Sequence, residues 1–207
     1  MILFQTQDLA FNNLIYYPDM EIPKKCVTFI AGESGSGKST LLRLLNGTLT
    51  QSHGDIFYEG KNILDIHSIH LRREVLLIGQ SVFLFDKTIR ENFKMFYDYR
   101  EEQVPDDEVQ HHFLHLCRIA FDLDKSCTTM SGGERQRVYL AIYLSFQPPV
   151  ILFDEPTAAL DTENSHSVMR NIIEFSKEKG ITLIVVSHDN SLAETFAEKT
   201  IFLKKGW

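Results

Sequence analysis

Gly32-Glu33-Ser34-Gly35-Ser36-Gly37-Lys38-Ser39-Thr40 fits the pattern G-x-x-x-x-G-K-[ST] at every fixed position. Upstream lies the apolar, β-branched run Cys26-Val27-Thr28-Phe29-Ile30-Ala31, and downstream Leu41-Leu42-Arg43-Leu44-Leu45, which reads as a helix. Strand, glycine-rich loop and helix in that order are the context the pattern requires. The glycines let successive backbone N–H groups converge on phosphate oxygens, and the helix start beyond them adds partial positive charge. Lys38 is expected to reach the β- and γ-phosphates of a nucleotide, and the Ser39 hydroxyl to ligate Mg²⁺. The competing reading is a Gly/Ser-rich turn that matches by chance, and the strand–helix context disfavours it.

Outward from this loop, three runs are continuous and apolar, as strands covered on both faces must be: Val27–Ala31, Val150–Phe153 and Thr182–Val186. Helical stretches follow them at Lys38–Leu45, around Asn164–Lys179 and at Ser191–Ala197. Strand and helix in alternation predict a mainly parallel sheet with helices on both sides. Val75–Ile78 and Thr200–Leu203 read as further strands. Ile2–Gln5, Tyr17–Ile22 and Asp55–Tyr58, with turn signals at Asn12-Asn13, Ser52-His53-Gly54 and Glu59-Gly60, look peripheral and antiparallel. Between about Asp86 and Thr128 the β-signal vanishes. There Pro105-Asp106-Asp107-Glu108 marks a helix start, and Val109, Phe113, Leu114, Cys117 and Ile119 form an apolar stripe.

Composition narrows the function. The chain has 207 residues and 43% hydrophobic content, enough for one substantial core. Its net charge is −7 with no Lys/Arg-rich block, so a nucleic-acid partner is not expected. Cys26, Cys117 and Cys127 lack metal or disulfide spacing, which fits a reducing cytosol. The start Met1-Ile2-Leu3-Phe4-Gln5 is unlike a signal peptide. Runs such as Leu183-Ile184-Val185-Val186 are far shorter than the roughly 20 residues of a membrane span.

Val150-Ile151-Leu152-Phe153-Asp154-Glu155 is a buried-type strand ending in two carboxylates. Asp154 is placed to hold a metal, directly or through water, and Glu155 to polarise an attacking water as general base. An acidic strand end that merely caps the next helix is the alternative.

With these segments in view, the chain from about Ile2 to Leu203 resembles the nucleotide-binding subunits of ATP-binding cassette (ABC) transporters. Gly32–Thr40 matches the family's Walker A and Val150–Glu155 its Walker B with the catalytic glutamate. Gln80, in Gly79-Gln80-Ser81-Val82-Phe83-Leu84-Phe85, matches the Q-loop, whose glutamine senses Mg²⁺ and contacts the membrane subunit. Ser131-Gly132-Gly133-Glu134 matches the signature motif, with Met130 in place of leucine and Glu134 in place of glutamine. Ala158-Ala159-Leu160-Asp161 resembles the D-loop and Val186-Ser187-His188-Asp189 the H-loop. The resemblance implies that His188 stabilises the transition state and positions water. It implies that Ser131, Gly132, Gly133 and Glu134 face the γ-phosphate of a partner subunit, at the start of a helix beginning near Glu134. It also implies an aromatic residue stacked on adenine, which Phe11 fits best, with Tyr16 the alternative.

The expected fold is therefore α/β, a P-loop NTPase of the ABC ATPase kind. The expected single domain, 1–207, has a RecA-like core with an antiparallel β subdomain over 1–85 and 138–207. A helical subdomain carrying the signature is inserted over about 86–137. The expected activity is ATP hydrolysis with Mg²⁺ by a dimer of two such subunits, driving a separately encoded membrane permease from the inner face of the cell membrane. A soluble ABC ATPase of DNA repair or translation is the alternative, though the coiled coils, paired cassettes and basic arms typical of those proteins are not seen. The chain ends soon after its last strand, suggesting a compact bacterial cassette without a regulatory extension. His111, His112, His115 and Cys117 invite a metal reading, against a solvated helix face. The aromatic run Phe93–Tyr99 either lines a groove for a coupling helix of the membrane subunit or forms a core.

Overall fold

The computed structural model describes residues 1–205. Its strands are β1 (Ile2–Phe11), β2 (Ile15–Tyr16), β3 (Glu21–Pro23), β4 (Val27–Gly32), β5 (His53–Tyr58), β6 (Lys61–Asn62), β7 (Val75–Ile78), β8 (Val150–Asp154), β9 (Thr182–Val186) and β10 (Lys199–Leu203). Its helices are α1 (Lys38–Leu45), α2 (Ser68–Glu74), α3 (Ile89–Arg100), α4 (Asp107–Leu116), α5 (Gly132–Ser145), α6 (Thr162–Lys179) and α7 (Asn190–Phe196). The described residues fall into two compact units, one of 1–78, 148–155 and 173–205, the other of 79–147 and 156–172.

In the first unit the parallel sheet runs β10-β4-β9-β8-β7. The three uniformly apolar runs are its three interior strands, and only the edge strand β10 shows an alternating burial pattern. A second, antiparallel sheet places β1 between β2 and β5, with β3 also on β1. α1 is only eight residues long, too short to persist alone. Burial of Leu41, Leu42, Leu44 and Leu45 in the core shared with Ile30, Leu152, Ile184 and Ile56 holds it in place. By area bookkeeping those four leucines contribute roughly 6–12 kcal/mol as an upper bound, far more than helix propensity could.

The expected strand Tyr17–Ile22 does not form as one piece. Pro18 has no N–H for a ladder, and Asp8 opposite it adopts a left-handed backbone (φ 47°). Side chains take over there. The Asp19 carboxylate accepts the Asp8 N–H at 2.8 Å and the Thr6 hydroxyl accepts the Met20 N–H at 3.0 Å.

In the second unit, α3 and α4 each begin at a side-chain cap, Thr88 and Asp106. Phe93, Phe113, Leu114, Cys117, Ile119 and Val138 are buried. α5 starts at Gly132, two residues earlier than expected. Ser131 caps it, and the Glu134 carboxylate closes the box by accepting the Ser131 N–H at 2.8 Å.

Candidate functional site

Parallel strands end on one edge, so the loops after β4, β9 and β8 open side by side. Within the first unit this edge gathers Gly32–Thr40, Asp154, Glu155 and His188. Asp154 is level with Val186, and Val186 with Ile30. Lys38 is buried, and its Nζ donates to the carbonyls of Gly32 at 2.8 Å and Glu33 at 3.0 Å. The Ser39 hydroxyl donates to the Asp154 carboxylate at 2.8 Å, which brings two hard oxygen donors from distant segments to one point.

Glu155 is also buried. Its backbone is left-handed (φ 56°), and its N–H donates to the Val186 carbonyl at 2.9 Å. One carboxylate oxygen accepts the His188 N–H at 3.1 Å, and the other lies 3.4 Å from His188 Nε2. Burial raises the Glu155 pKa above the usual carboxylate value, against the lowering effect of the His188 N–H. The His188 ring itself is largely exposed.

Phe11 and Ile15 are directly opposed on β1 and β2, so they share one face. A Cβ on Gly37 would lie 2.8 Å from Ile15 Cγ2, so that face is turned to the phosphate loop. Tyr16 alternates onto the other face and is exposed.

The second unit holds the remaining expected residues. Gln80 is exposed in the turn two residues past β7. Ser131 and Gly132 are exposed at the start of α5. The Glu134 carboxylate is turned back onto the Ser131 N–H, which lowers its pKa. Gly133 allows a close approach, since a Cβ there would meet the Ala159 carbonyl at 3.1 Å. The Gln136 side chain accepts the Ala159 N–H at 3.0 Å, joining α5 to Ala158–Asp161. Asp161 accepts from the backbone and side chain of Asn164, which lowers its pKa and starts α6.

Arg135 directly follows the signature residues, and the motif by itself assigns it no contact. Its guanidinium donates to the Cys127 and Leu84 carbonyls at 2.7 and 3.1 Å and ties α5 to the segment after Gln80. On that segment Phe83 packs on Phe85, and Phe85 on Phe96 and Tyr99, leaving Phe83 and Tyr99 exposed. His112 and His115 are exposed on α4, whereas Cys117 is fully buried and its thiol pKa is raised by that burial. Among the described residues no three or more His, Cys, Asp or Glu stand as a metal-holding group, and no helix is long and apolar enough to cross a membrane.

Comparison with known proteins gives a consistent result. Residues 17–158 match the family model described as ABC transporter. A phosphonates import ATP-binding protein of Wolinella succinogenes is 36% identical over 200 residues, covering 90% of this chain and 73% of that protein. Among solved structures, cbiO1 of Clostridium perfringens, part of the ABC transporter complex cbiONQ, aligns with TM-score 0.85 at 28% identity over 99% of this chain and 86% of its own. The dimeric ATP-binding cassette MJ0796, in a post-hydrolysis state bound to ADP and Pi, aligns with TM-score 0.84 at 25% identity over 99% and 95%.

Proposed function

The chain belongs to the ABC transporter family as an ATP-binding, ATP-hydrolysing subunit, and from that premise we propose that two copies close around two ATP molecules and power a separate membrane subunit. The observation that carries this is the division of anion-binding groups. The first unit gathers the phosphate loop, Asp154, Glu155 and His188, while a second capped helix start is exposed at Ser131 and Gly132 on the other. A helix start with free N–H groups is an anion site, and here it meets the γ-phosphate held by the partner. The dimeric MJ0796 cassette with ADP and Pi supports the arrangement.

Gly32–Thr40 cradle the phosphates, with Lys38 on the β- and γ-phosphates. Ser39 and Asp154 hold Mg²⁺, and their oxygen donors suit a hard cation. The ion, when bound, neutralises charge on the phosphates. Glu155 takes the proton of the attacking water, and His188, fixed by its N–H on Glu155, orients that water and the γ-phosphate. Phe11 stacks on adenine, because its face is the one turned to the loop. Ser131 and the first N–H groups of α5 contact phosphate, while Glu134 holds the cap and Asp161 fixes the chain beside Gly133. ATP joins the two subunits and loss of the γ-phosphate releases them, a two-state switch set by differential contacts.

The Phe83, Phe85, Phe96 and Tyr99 surface receives a helix of the membrane subunit. Arg135 links it to the signature helix, so docking and the phosphate contact move together. Contacts to the transported solute then belong to the membrane subunit.

The test is complementation. Ser131→Arg and Lys38→Ala are each expected to be inactive alone, the first while still binding ATP on a single chain. An equimolar mixture is expected to recover about one quarter of normal turnover, since half the dimers are mixed and each of those has one intact site. No recovery in a mixture shown to exchange subunits would reject the shared site.

A further inference from the structure

Tyr17 belongs to none of the motifs above. It follows β2 directly and is buried. A Cβ built on Gly37 would come within 2.8 Å of the Tyr17 hydroxyl, so the ring sits against the point where the phosphate loop becomes α1. The hydroxyl donates to the Gly37 carbonyl at 3.0 Å. That carbonyl also accepts the Leu41 N–H at 2.8 Å, the first hydrogen bond of the helix. Tyr17 is anchored from behind, because its own N–H donates to the Leu9 carbonyl in β1 at 2.9 Å. Burial pushes the phenol pKa up, so the hydroxyl remains a donor.

We propose that Tyr17 is a positioning residue for nucleotide binding, which holds the Gly37 carbonyl and thereby aims the Lys38 N–H at the phosphates. The reason lies in the peptide unit. The Gly37 C=O and the Lys38 N–H belong to one planar trans amide and point in opposite directions. A donor that fixes the carbonyl on the core side therefore fixes the N–H on the ligand side. Gly37 stands at φ 89°, ψ 14°, and a glycine peptide is the easiest in the loop to rotate away from that geometry. Tyr17 removes this freedom before the ligand arrives, which strengthens binding by pre-organisation. It touches no phosphate itself. The inference rests on reading Gly32–Thr40 as the phosphate cradle.

The bland alternative is a tyrosine that only fills the core, and Tyr97 supplies the comparison. It too is buried, and its hydroxyl donates to the Ser145 carbonyl at 3.0 Å between α3 and α5. Tyr17→Phe and Tyr97→Phe each delete one oxygen and keep the ring, so both are expected to fold, as their melting curves will report. With Mg²⁺ present, Tyr17→Phe is expected to weaken ADP binding by calorimetry about five- to tenfold, the value of one well-placed hydrogen bond. The KM for ATP rises by a similar factor while kcat at saturation stays within about twofold. Tyr97→Phe loses comparable melting temperature and leaves the ADP dissociation constant and KM within about twofold. Unchanged ADP binding in Tyr17→Phe would overturn the proposal, and so would equal weakening in both variants. Lys38→Ala separates the two layers. If it abolishes ADP binding while Tyr17→Phe binds normally, only the role of Tyr17 falls; if it binds ADP normally, the cradle falls first.

Discussion

In Glu155→Gln, ATP hydrolysis is expected to fall about 10²- to 10⁴-fold, the range of a lost general base, while ATP still binds and the chain accumulates as a dimer. Glutamine has the size of glutamate, and its amide oxygen can keep the His188 N–H that Glu155 accepts at 3.1 Å. It occupies the same left-handed backbone position with no added strain, since the Val186 hydrogen bond that holds this turn is made by the backbone. What disappears is the ability to take a proton. The native carboxylate is buried and its pKa raised by desolvation, which moves it toward the range where a base works best near neutral pH. With hydrolysis blocked, the γ-phosphate stays between the phosphate loop of one chain and Ser131 of the other, so dissociation is blocked too. Size exclusion with light scattering, with and without ATP, reads the outcome. A variant that hydrolyses normally would remove Glu155 from its role. A variant that is slow yet never dimerises would keep the base and sink the phosphate bridge.

The parts legible in sequence were those with one dominant local cause. Val75–Ile78, Thr182–Val186 and Lys38–Leu45 appear with the boundaries their apolar runs and the glycine loop dictate. The parts that were not legible depend on contacts between distant residues. Tyr17–Ile22 looks like a strand until Pro18 and the kink at Asp8 break the ladder. α2 has one buried residue, Leu71, and so no periodic stripe to announce it. The start of α5 was recoverable: Ser131 and Glu134 have the S-x-x-E spacing of a capping box, as Thr88 and Glu91 do for α3, and the two glycines drew attention away from it. The site divides in the same way. Lys38, Ser39 and Asp154 follow from motif spacing, but the Ser39–Asp154 hydrogen bond comes from the pairing of β8 into the sheet. Nothing near Arg135 or Tyr17 in sequence reveals that their partners are the carbonyls of Leu84 and Gly37.

Lys38→Ala is expected to raise the dissociation constant for ATP about 100-fold or more and to reduce turnover to background. Two effects act in the same direction. The ammonium is the one cation that the loop's own sequence supplies to the phosphates, and a buried charge-assisted contact is worth about twice a neutral hydrogen bond. Its removal also leaves the Gly32 and Glu33 carbonyls without the donor they share, so the loop loses the strap that spans it. A strap that any charged donor could supply and a compact ammonium differ in measurable ways. If the strap alone mattered, Lys38→Arg, which keeps a charge and several donors, would restore most of the binding; if the compact ammonium is required at the phosphates, arginine fails as alanine does. Thermal unfolding at increasing ATP concentration separates site from fold. The native chain gains stability as RT ln(1 + [L]/Kd), whereas Lys38→Ala melts at one temperature across the titration. A concentration-dependent rise in Lys38→Ala equal to that of the native chain would show that the phosphates are held elsewhere, and Gly32–Thr40 would then be only a turn between β4 and α1.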